Sequence, residues 1–254
     1  MSDDGQRLTC RVPLSGIFRS PKPGAKFTSQ LIFGEDVAIL SDGGAYYQVE
    51  SKSGVVGYVE HDHLGQVDTP SHIVCVPRAY VYVSPNSLAK AVDILSLGSR
   101  VLTDEQRGDF AHIDGVGWIY QAHLCTMNDR FRSDPVSYAE LLLNTPYLFG
   151  GRSAFGIDCS GFIELCFAIL DIAFPRDRGS QFEASLPIEK TRAEPKRGDL
   201  VFFSHHVGLM CDKATIIHCG SPDRRVTIQR LDWAMKRYVK ERGRSFLGFR
   251  SVPK

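Results

Sequence analysis

The N-terminal half of the chain contains an internal repeat. Three short motifs recur 64 residues further on, namely Val12-Pro13 as Val76-Pro77, Ser20-Pro21 as Ser84-Pro85, and Gly34 as Gly98. Two more recur at an offset of 60, namely Gly57-Tyr58-Val59 as Gly117-Trp118-Ile119, and His63-Leu64 as His123-Leu124. The smaller offset indicates a shorter loop in the second copy. The repeat predicts two successive domains of one kind, over residues 8–68 and 72–126.

Each copy has the sequence pattern of a small β domain. Short runs rich in β-branched and aromatic residues alternate with Gly, Pro, Asp and Asn, as at 37–40 and 46–49 in the first copy and 100–102 and 110–113 in the second. Such runs, bounded by turn residues, are typical of strands in small all-β barrels. We therefore predict two all-β barrels ahead of the C-terminal half.

A cysteine in the C-terminal half lies at the start of a predicted helix. Asp158-Cys159-Ser160-Gly161-Phe162 opens the apolar run 162–170, which reads as a buried helix with Cys159 in its first turn. The positive end of the helix dipole and a neighbouring imidazole are expected to lower the thiol pKa from about 8.5 to roughly 3.5–7.5, giving a thiolate at neutral pH. The alternative is that Cys159 is a buried structural cysteine.

The surrounding motifs resemble the NlpC family of papain-like cell-wall peptidases. The family pattern is Asp-Cys-Ser-Gly followed by an aliphatic or aromatic residue, and Tyr147-Leu148-Phe149-Gly150-Gly151 is similar to its Tyr-x-Trp-Gly-Gly, with Phe149 in place of tryptophan. Further motifs follow in the family's order: Pro175-Arg176, Gln181, Gly198-Asp199-Leu200-Val201-Phe202-Phe203 and His206-Val207-Gly208. The resemblance covers about residues 134–254. It implies an α+β papain-like catalytic domain with two N-terminal all-β SH3-like barrels, since the Gly-Tyr/Trp-aliphatic element of each repeat resembles bacterial SH3-like domains.

The resemblance also assigns catalytic roles. Cys159 resembles the nucleophile, His206 the general base and acid, and His218 the third residue, which orients the imidazole. A thiol attacks an amide only if a neighbouring group accepts its proton and returns it to the leaving amine, and an imidazole can do both near neutral pH. His205 competes for the base role, but neighbours on a strand point to opposite faces and the family register selects His206. His218 could instead be a core histidine bonded to backbone.

The same half of the chain predicts an α+β order of elements. Asp134 is a plausible N-cap with Pro135 at the first helical position. Four strands are predicted after the cysteine helix, at 200–203, 207–210, 214–217 and 225–228. A helix followed by antiparallel strands fits a papain-like core.

The substrate is implied by the resemblance alone. NlpC enzymes hydrolyse peptidoglycan stem peptides, typically between γ-D-glutamate and a diamino acid. Members with SH3-like domains and no export signal resemble the cytoplasmic, murein-recycling type, which takes short peptides with a free L-alanine amine. In these enzymes the residues equivalent to Asp158 and Ser160 help bind the ammonium. Asp158 could equally be only the N-cap of the helix.

Other substrate-binding residues follow from the same resemblance. The first barrel usually adds an acidic residue and a tyrosine, and Glu50 fits the former whereas Val55 stands at the tyrosine position. Tyr147 is assigned to the substrate site. Arg176 either meets a substrate carboxylate or ties its loop to the core through a bidentate pair.

Composition limits the partners and cofactors. The 30 basic and 29 acidic residues give a net charge of +1, which offers no global field for nucleic acid or anionic lipid. The start lacks a signal-like segment and no apolar stretch approaches the roughly 20 residues of a membrane span, so we expect a cytoplasmic protein. The seven cysteines lack metal-ligand or disulfide-framework spacing, so we predict neither a metal nor another cofactor.

Three functional classes remain. The favoured one is a cysteine endopeptidase acting on murein-derived peptides, or on the intact wall if the protein is exported. A non-catalytic wall-binding protein is the second. The third is an acyltransferase of the related lipid-processing branch, which places its histidine before its cysteine, whereas Cys159 precedes both His206 and His218 here.

Overall fold

The chain folds into two compact units in the computed structural model. The structure describes residues 6–129, 134–188, 194–220 and 223–253. The first unit is Met1–Arg132 and the second is Ser133–Lys254.

The first copy of the repeat forms one antiparallel sheet, which we call the first β module. Its seven strands lie in the order β3-β2-β6-β5-β4-β1-β7, and a 3-10 turn, His61–His63, precedes β7. The strands are β1 Arg7–Cys10, β2 Leu14–Phe18, β3 Phe27–Ile32, β4 Asp36–Asp42, β5 Tyr46–Ser51, β6 Val56–Glu60 and β7 Leu64–Gly65. Alternate residues of these strands face a core that includes Ile17, Val37, Val49 and Val59.

The second copy, the second β module, has eight strands divided between two sheets. A five-stranded sheet has the order β10-β9-β14-β13-β12, and a three-stranded sheet has the order β11-β8-β15. The strands are β8 His72–Val74, β9 Arg78–Tyr82, β10 Ala91–Ser96, β11 Arg100–Val101, β12 Thr103–Arg107, β13 Phe110–Ile113, β14 Gly117–Tyr120 and β15 Leu124–Thr126. A 3-10 turn, Gln121–His123, precedes the last strand, as in the first copy. Closure of either module into a barrel stays a prediction.

The two β modules share a packed boundary. Phe33 extends from the first module into the hydrophobic core of the second. The Arg100 amide donates a 2.9 Å hydrogen bond to the Phe33 carbonyl oxygen. Gly34 follows with φ +80°, and a side chain there would overlap the Arg100 carbonyl oxygen. Glycine is therefore required at position 34 both for its backbone conformation and for close approach of the modules.

The second unit is built on a six-stranded antiparallel sheet with the order β18-β23-β19-β20-β21-β22. Its helices are α1 Pro135–Leu141, α2 Cys159–Ile169, α3 Arg178–Ala184 and α4 Leu231–Met235, the last continued by a π-helical segment, Lys236–Glu241. The sheet strands are β18 Leu186–Pro187, β19 Leu200–Phe203, β20 His206–Met210, β21 Thr215–Gly220, β22 Arg225–Arg230 and β23 Phe246–Ser251, and a short hairpin joins β16 Arg152–Ser153 to β17 Gly156–Ile157. The helix-then-strand order predicted from the sequence is confirmed.

The helix starts follow from capping residues. The Asp134 carboxylate accepts hydrogen bonds from the amides of Val136 and Ser137, with Pro135 in the first turn of α1. Asp158 caps α2 in the same way. Helix α2 is buried along nearly its whole length and packs against β20 and β21, so its first turn is fixed against the sheet.

Candidate functional site

Cys159 lies in the first turn of α2, as predicted, and is half-buried. Backbone hydrogen bonds link its sulfur to Val207, in β20, and to Ser160. Val207 directly follows His206 in the chain. The helix start therefore brings the thiol to the strand that carries the predicted base.

The thiol has a raised pKa. Burial is the largest cause and the Asp158 carboxylate the next, and together they raise the pKa of Cys159 to about 11, against the opposing effects of Arg176 and the two backbone hydrogen bonds. The prediction of a thiolate at neutral pH is wrong, because desolvation and an adjacent anion outweigh the favourable helix terminus. The resting residue is a protonated thiol, and its proton must leave as the sulfur attacks.

His206 and His218 form a buried pair on neighbouring strands. Nε2 of His206 lies 2.9 Å from Nδ1 of His218. Burial, followed by the neighbouring His218, holds the pKa of His206 well below its usual value. Burial also lowers the pKa of His218. Both rings are therefore neutral at neutral pH, and the hydrogen bond to His218 engages Nε2 of His206 rather than Nδ1.

His205 occupies a different environment. It is exposed in the turn between β19 and β20, and its carbonyl oxygen accepts a hydrogen bond from Arg244. The structure thus brings His206, and not His205, to the buried site. The separation arises because β20 begins at His206, so His205 lies outside the strand rather than on its opposite face.

Asp158 is fully engaged by the protein. Its carboxylate accepts hydrogen bonds from the Gly161 amide at 2.7 Å and the Gly150 amide at 2.8 Å. Arg176 donates to both oxygens, each at 2.9 Å, in a buried bidentate pair. The structure therefore shows the N-cap role for Asp158 and the loop-to-core pair for Arg176. Binding of a substrate ammonium by Asp158 stays a prediction.

Ser160 and Gln181 extend the same network. Arg176 donates a 3.0 Å hydrogen bond to the Ser160 hydroxyl, which donates to Asp158 at 3.3 Å. The buried Gln181 amide donates to the carbonyl oxygens of Ser160 at 2.9 Å and Pro175 at 2.8 Å. Gln181 thus ties the first turn of α2 to the loop that supplies Arg176. The predicted substrate-binding role of Ser160 stays a prediction.

Tyr147 lies at the exposed side of the site. Burial of its hydroxyl, followed by the nearby Cys159 and Asp158, raises the pKa of Tyr147 to about 12, although 38% of the residue is exposed. Phe149, at the position of the family tryptophan, is 64% exposed. A backbone bridge pairs Tyr147 with Ile157, two residues before Cys159, and the role of Tyr147 in binding substrate stays a prediction.

Two site residues have no motif that sequence reasoning could use. Tyr238, fully buried in the segment after α4, stacks on the His206 ring with centroids 4.6 Å apart and planes at 16°. Gly220 ends β21, and a Cβ there would lie 2.8 Å from Cε1 of His206. Tyr238 therefore supports one face of the His206 imidazole, and Gly220 leaves space for the ring. Both depend on long-range packing, which local sequence does not reveal.

A second buried ion pair lies along the nucleophile helix. Glu164, within the run predicted to be apolar core, pairs with Arg152 from β16, and both are buried. The helix is therefore attached to the β16–β17 hairpin by charge as well as by apolar contact.

The remaining predicted site residue belongs to the N-terminal unit. Glu50 is exposed on β5, and Val55 packs against the core of the first β module. The role of Glu50 at the substrate site stays a prediction.

The described ranges contain neither a candidate metal cluster nor a membrane-spanning helix. Among those residues, no three His, Cys, Asp or Glu side chains are grouped so that they could hold a metal ion. No helix in the described part of the chain is both long and apolar enough to cross a membrane.

Two regions of the chain match known protein families. Residues 144–243 match the NlpC/P60 family, and residues 17–64 match the bacterial dipeptidyl-peptidase Sh3 domain. Two curated relatives are gamma-D-glutamyl-L-lysine dipeptidyl-peptidases. The chain is 24% identical to that of Bacillus cereus, over 80% of this chain and 70% of the relative, and 27% identical to that of Bacillus subtilis, over 84% and 78%.

A solved structure supports the fold. The crystal structure of an NlpC/P60 family protein from Bacillus cereus superposes with a TM-score of 0.76 at 20% identity, covering 89% of this chain and 95% of that chain. The residues around Cys159, His206 and His218 lie within the matched family range. The chain therefore contains an NlpC/P60 domain, over residues 144–243, and a bacterial dipeptidyl-peptidase Sh3 domain ahead of it, over residues 17–64.

Proposed function

We propose that this protein is a cysteine peptidase that hydrolyses the γ-D-glutamyl–diamino acid bond of short peptidoglycan stem peptides. Its substrate would carry a free N-terminal L-alanine, and its product would be the dipeptide L-alanyl-γ-D-glutamate. The observation that carries the proposal is the position of Cys159, at the start of α2 and against the strand that presents the His206–His218 pair. The names of the two Bacillus relatives support the choice of bond.

The geometry suggests how the reaction proceeds. Nδ1 of His206 accepts the thiol proton as the sulfur attacks the γ-carbonyl carbon, because both residues are neutral at rest. Collapse of the tetrahedral intermediate breaks the C–N bond, and His206 returns the proton to the leaving amine. Water then hydrolyses the thioester, with His206 accepting its proton, and the free thiol is restored.

A cellular role in recycling is part of the proposal. A stem peptide acquires a free L-alanine amine only after its amide bond to muramic acid has been cut. An enzyme that selects this amine would therefore act on detached peptides rather than on the intact wall. We place that activity in the cytoplasm.

Digestion of a stem tripeptide tests the proposal. L-Ala-γ-D-Glu-L-Lys and its diaminopimelate counterpart are incubated with the protein, and the products are identified by mass spectrometry. We expect release of the dipeptide, and none with Cys159→Ala. His206→Ala should reduce turnover on the order of a thousand-fold or more, since base and nucleophile act as a unit. His205→Ala, the matched control one residue away, should retain most activity. Cleavage at another bond, or loss with His205→Ala alone, would contradict the proposal.

A further inference from the structure

The buried histidine pair continues into two further polar side chains. Nε2 of His218 lies 3.0 Å from Oε1 of Gln229, on the neighbouring strand β22. The Gln229 amide nitrogen donates to Oδ2 of Asp223 at 2.6 Å. His206, His218, Gln229 and Asp223 therefore form one continuous series of hydrogen bonds, which we call the polar chain.

Strand register places Gln229 within reach of His218. His218 pairs directly with Thr227, and Gln229 pairs with Ile216. Gln229 is thus two residues from the position opposite His218 and lies on the same face of the sheet. Its long side chain spans that diagonal.

Only one arrangement of hydrogen atoms along the polar chain gives every hydrogen bond one donor and one acceptor. An ionised carboxylate accepts hydrogen bonds and cannot donate them, so the side of the Gln229 amide that faces Asp223 must be NH₂. The amide oxygen then faces His218 and needs a donor, which makes Nε2 of His218 the protonated nitrogen. In a neutral ring Nδ1 of His218 is then an acceptor, and it must accept a hydrogen bond from a protonated Nε2 of His206. His206 is left with an unprotonated Nδ1.

We propose that Asp223 and Gln229 are positioning residues that set the tautomers of both histidines, so that His206 presents a bare Nδ1 to the Cys159 thiol. This inference rests on the proposed function for its catalytic consequence. Without the Gln229 acceptor, nothing in the polar chain favours the Nε2–H form of His218. With the opposite tautomers, Nδ1 of His206 would carry a proton and could not accept one from the thiol.

Tautomers can be measured in the free protein by nitrogen-15 NMR of labelled histidine side chains. Nitrogen shifts and one-bond couplings distinguish a protonated ring nitrogen from one with a lone pair, and His206→Gln and His218→Gln assign the signals. We expect both rings of the native protein to be protonated at Nε2 and bare at Nδ1. Gln229→Leu, which keeps the approximate volume without an acceptor, should give mixed or inverted tautomers at His218. A native protein with Nδ1 of His206 protonated would overturn the inference.

Exchanging the carboxylate at position 223 with the amide at position 229 should restore the native tautomers. In Gln229→Glu alone, the new carboxylate would lie against that of Asp223, and their repulsion should displace it from Nε2 of His218 and so disturb the tautomers. In the double variant Asp223→Asn with Gln229→Glu, an amide would donate to a carboxylate that still accepts from His218, so the native tautomers and kcat should return. Asp223→Ala changes an exposed residue and tests the same link if Gln229→Leu fails to fold. Asp232→Ala is the control, since that exposed carboxylate pairs with Arg230.

Activity supplies the second readout. Gln229→Leu should lower kcat at least ten-fold with little change in KM, within the roughly ten-thousand-fold limit set by a wrong triad tautomer. Unchanged tautomers and unchanged kcat in Gln229→Leu and Asp223→Ala would overturn the inference, as would failure of the double variant to restore both. Because the NMR measurement needs no substrate, an incorrect substrate assignment would leave its result intact.

Discussion

His206 and His218 are buried with lowered pKa values, which ties the stability of the catalytic unit to pH. In the unfolded chain each imidazole titrates near its ordinary value of 6.5. Above that pH the two imidazoles are neutral in both the folded and the unfolded chain, so their titration adds no pH dependence to the free energy of unfolding. Below it, the unfolded chain binds protons that the folded chain does not. The free energy of unfolding must therefore fall as the pH decreases toward the lowered folded-state pKa values.

Denaturant unfolding between pH 5 and 7.5 checks this directly. Each buried histidine should contribute a slope of up to about 1.4 kcal/mol per pH unit below its unfolded pKa. His206→Gln should reduce the slope by one such contribution. His205→Gln, which changes an exposed imidazole, should leave it unchanged. Equal slopes in the native protein and His206→Gln would show that the imidazole is not held neutral.

At the scale of elements, the boundary between the β modules depends on one glycine. Gly34 has φ +80° and lies against the Arg100 carbonyl oxygen, whereas Gly44 has φ +81° with nothing within 4 Å of its would-be Cβ. Both positions disfavour an L side chain by about 1–2 kcal/mol through backbone strain. Only at Gly34 must the second module also move.

This comparison predicts different costs for the same substitution. Gly44→Ala should lower the free energy of unfolding by about 1–2 kcal/mol. Gly34→Ala should lower it by roughly a further 1–3 kcal/mol, the usual range for overpacking. Unfolding of the two variants in denaturant measures both. Equal losses would mean that the backbone at Arg100 moves away from residue 34 without lowering the free energy of unfolding.

The sequence predicted elements wherever local chemistry decides them. Caps such as Asp134 and Asp158 identified helix starts, and β-branched runs identified β19 to β22. The repeat predicted two related modules, but Phe33 packs into the core of the second copy, and no local pattern indicates that crossing. The stacking of Tyr238 on His206 and the Arg152–Glu164 ion pair were not predicted for the same reason, since each joins residues that are distant in sequence. The Cys159 pKa was predicted in the wrong direction because burial and Asp158 outweigh the helix terminus.

At the scale of the whole molecule, the chain combines β modules with a peptidase domain and a net charge of +1. Such a balance offers no general attraction to an anionic polymer. Substrate choice must therefore come from specific contacts. The proposed preference for a free amine is one such contact, and it separates a recycling enzyme from a wall hydrolase.

Rates on three substrates test that separation. The free stem tripeptide should be cleaved faster by a large factor than its N-acetylated form, and intact peptidoglycan should be a poor substrate, because amide formation removes the ammonium. Chromatography of the products measures all three rates. Comparable rates would contradict the recycling role and indicate a hydrolase of the wall, and binding to the wall without any cleavage would indicate a non-catalytic protein.

The central claim is that Cys159 attacks the γ-D-glutamyl carbonyl. Acid quenching during turnover of the tripeptide, followed by peptide mapping with mass spectrometry, tests it most directly. We predict an adduct of L-alanyl-γ-D-glutamate, joined as a thioester, on the peptide that contains Cys159. An adduct on another residue, a different acyl group, or full turnover by Cys159→Ala would contradict the claim.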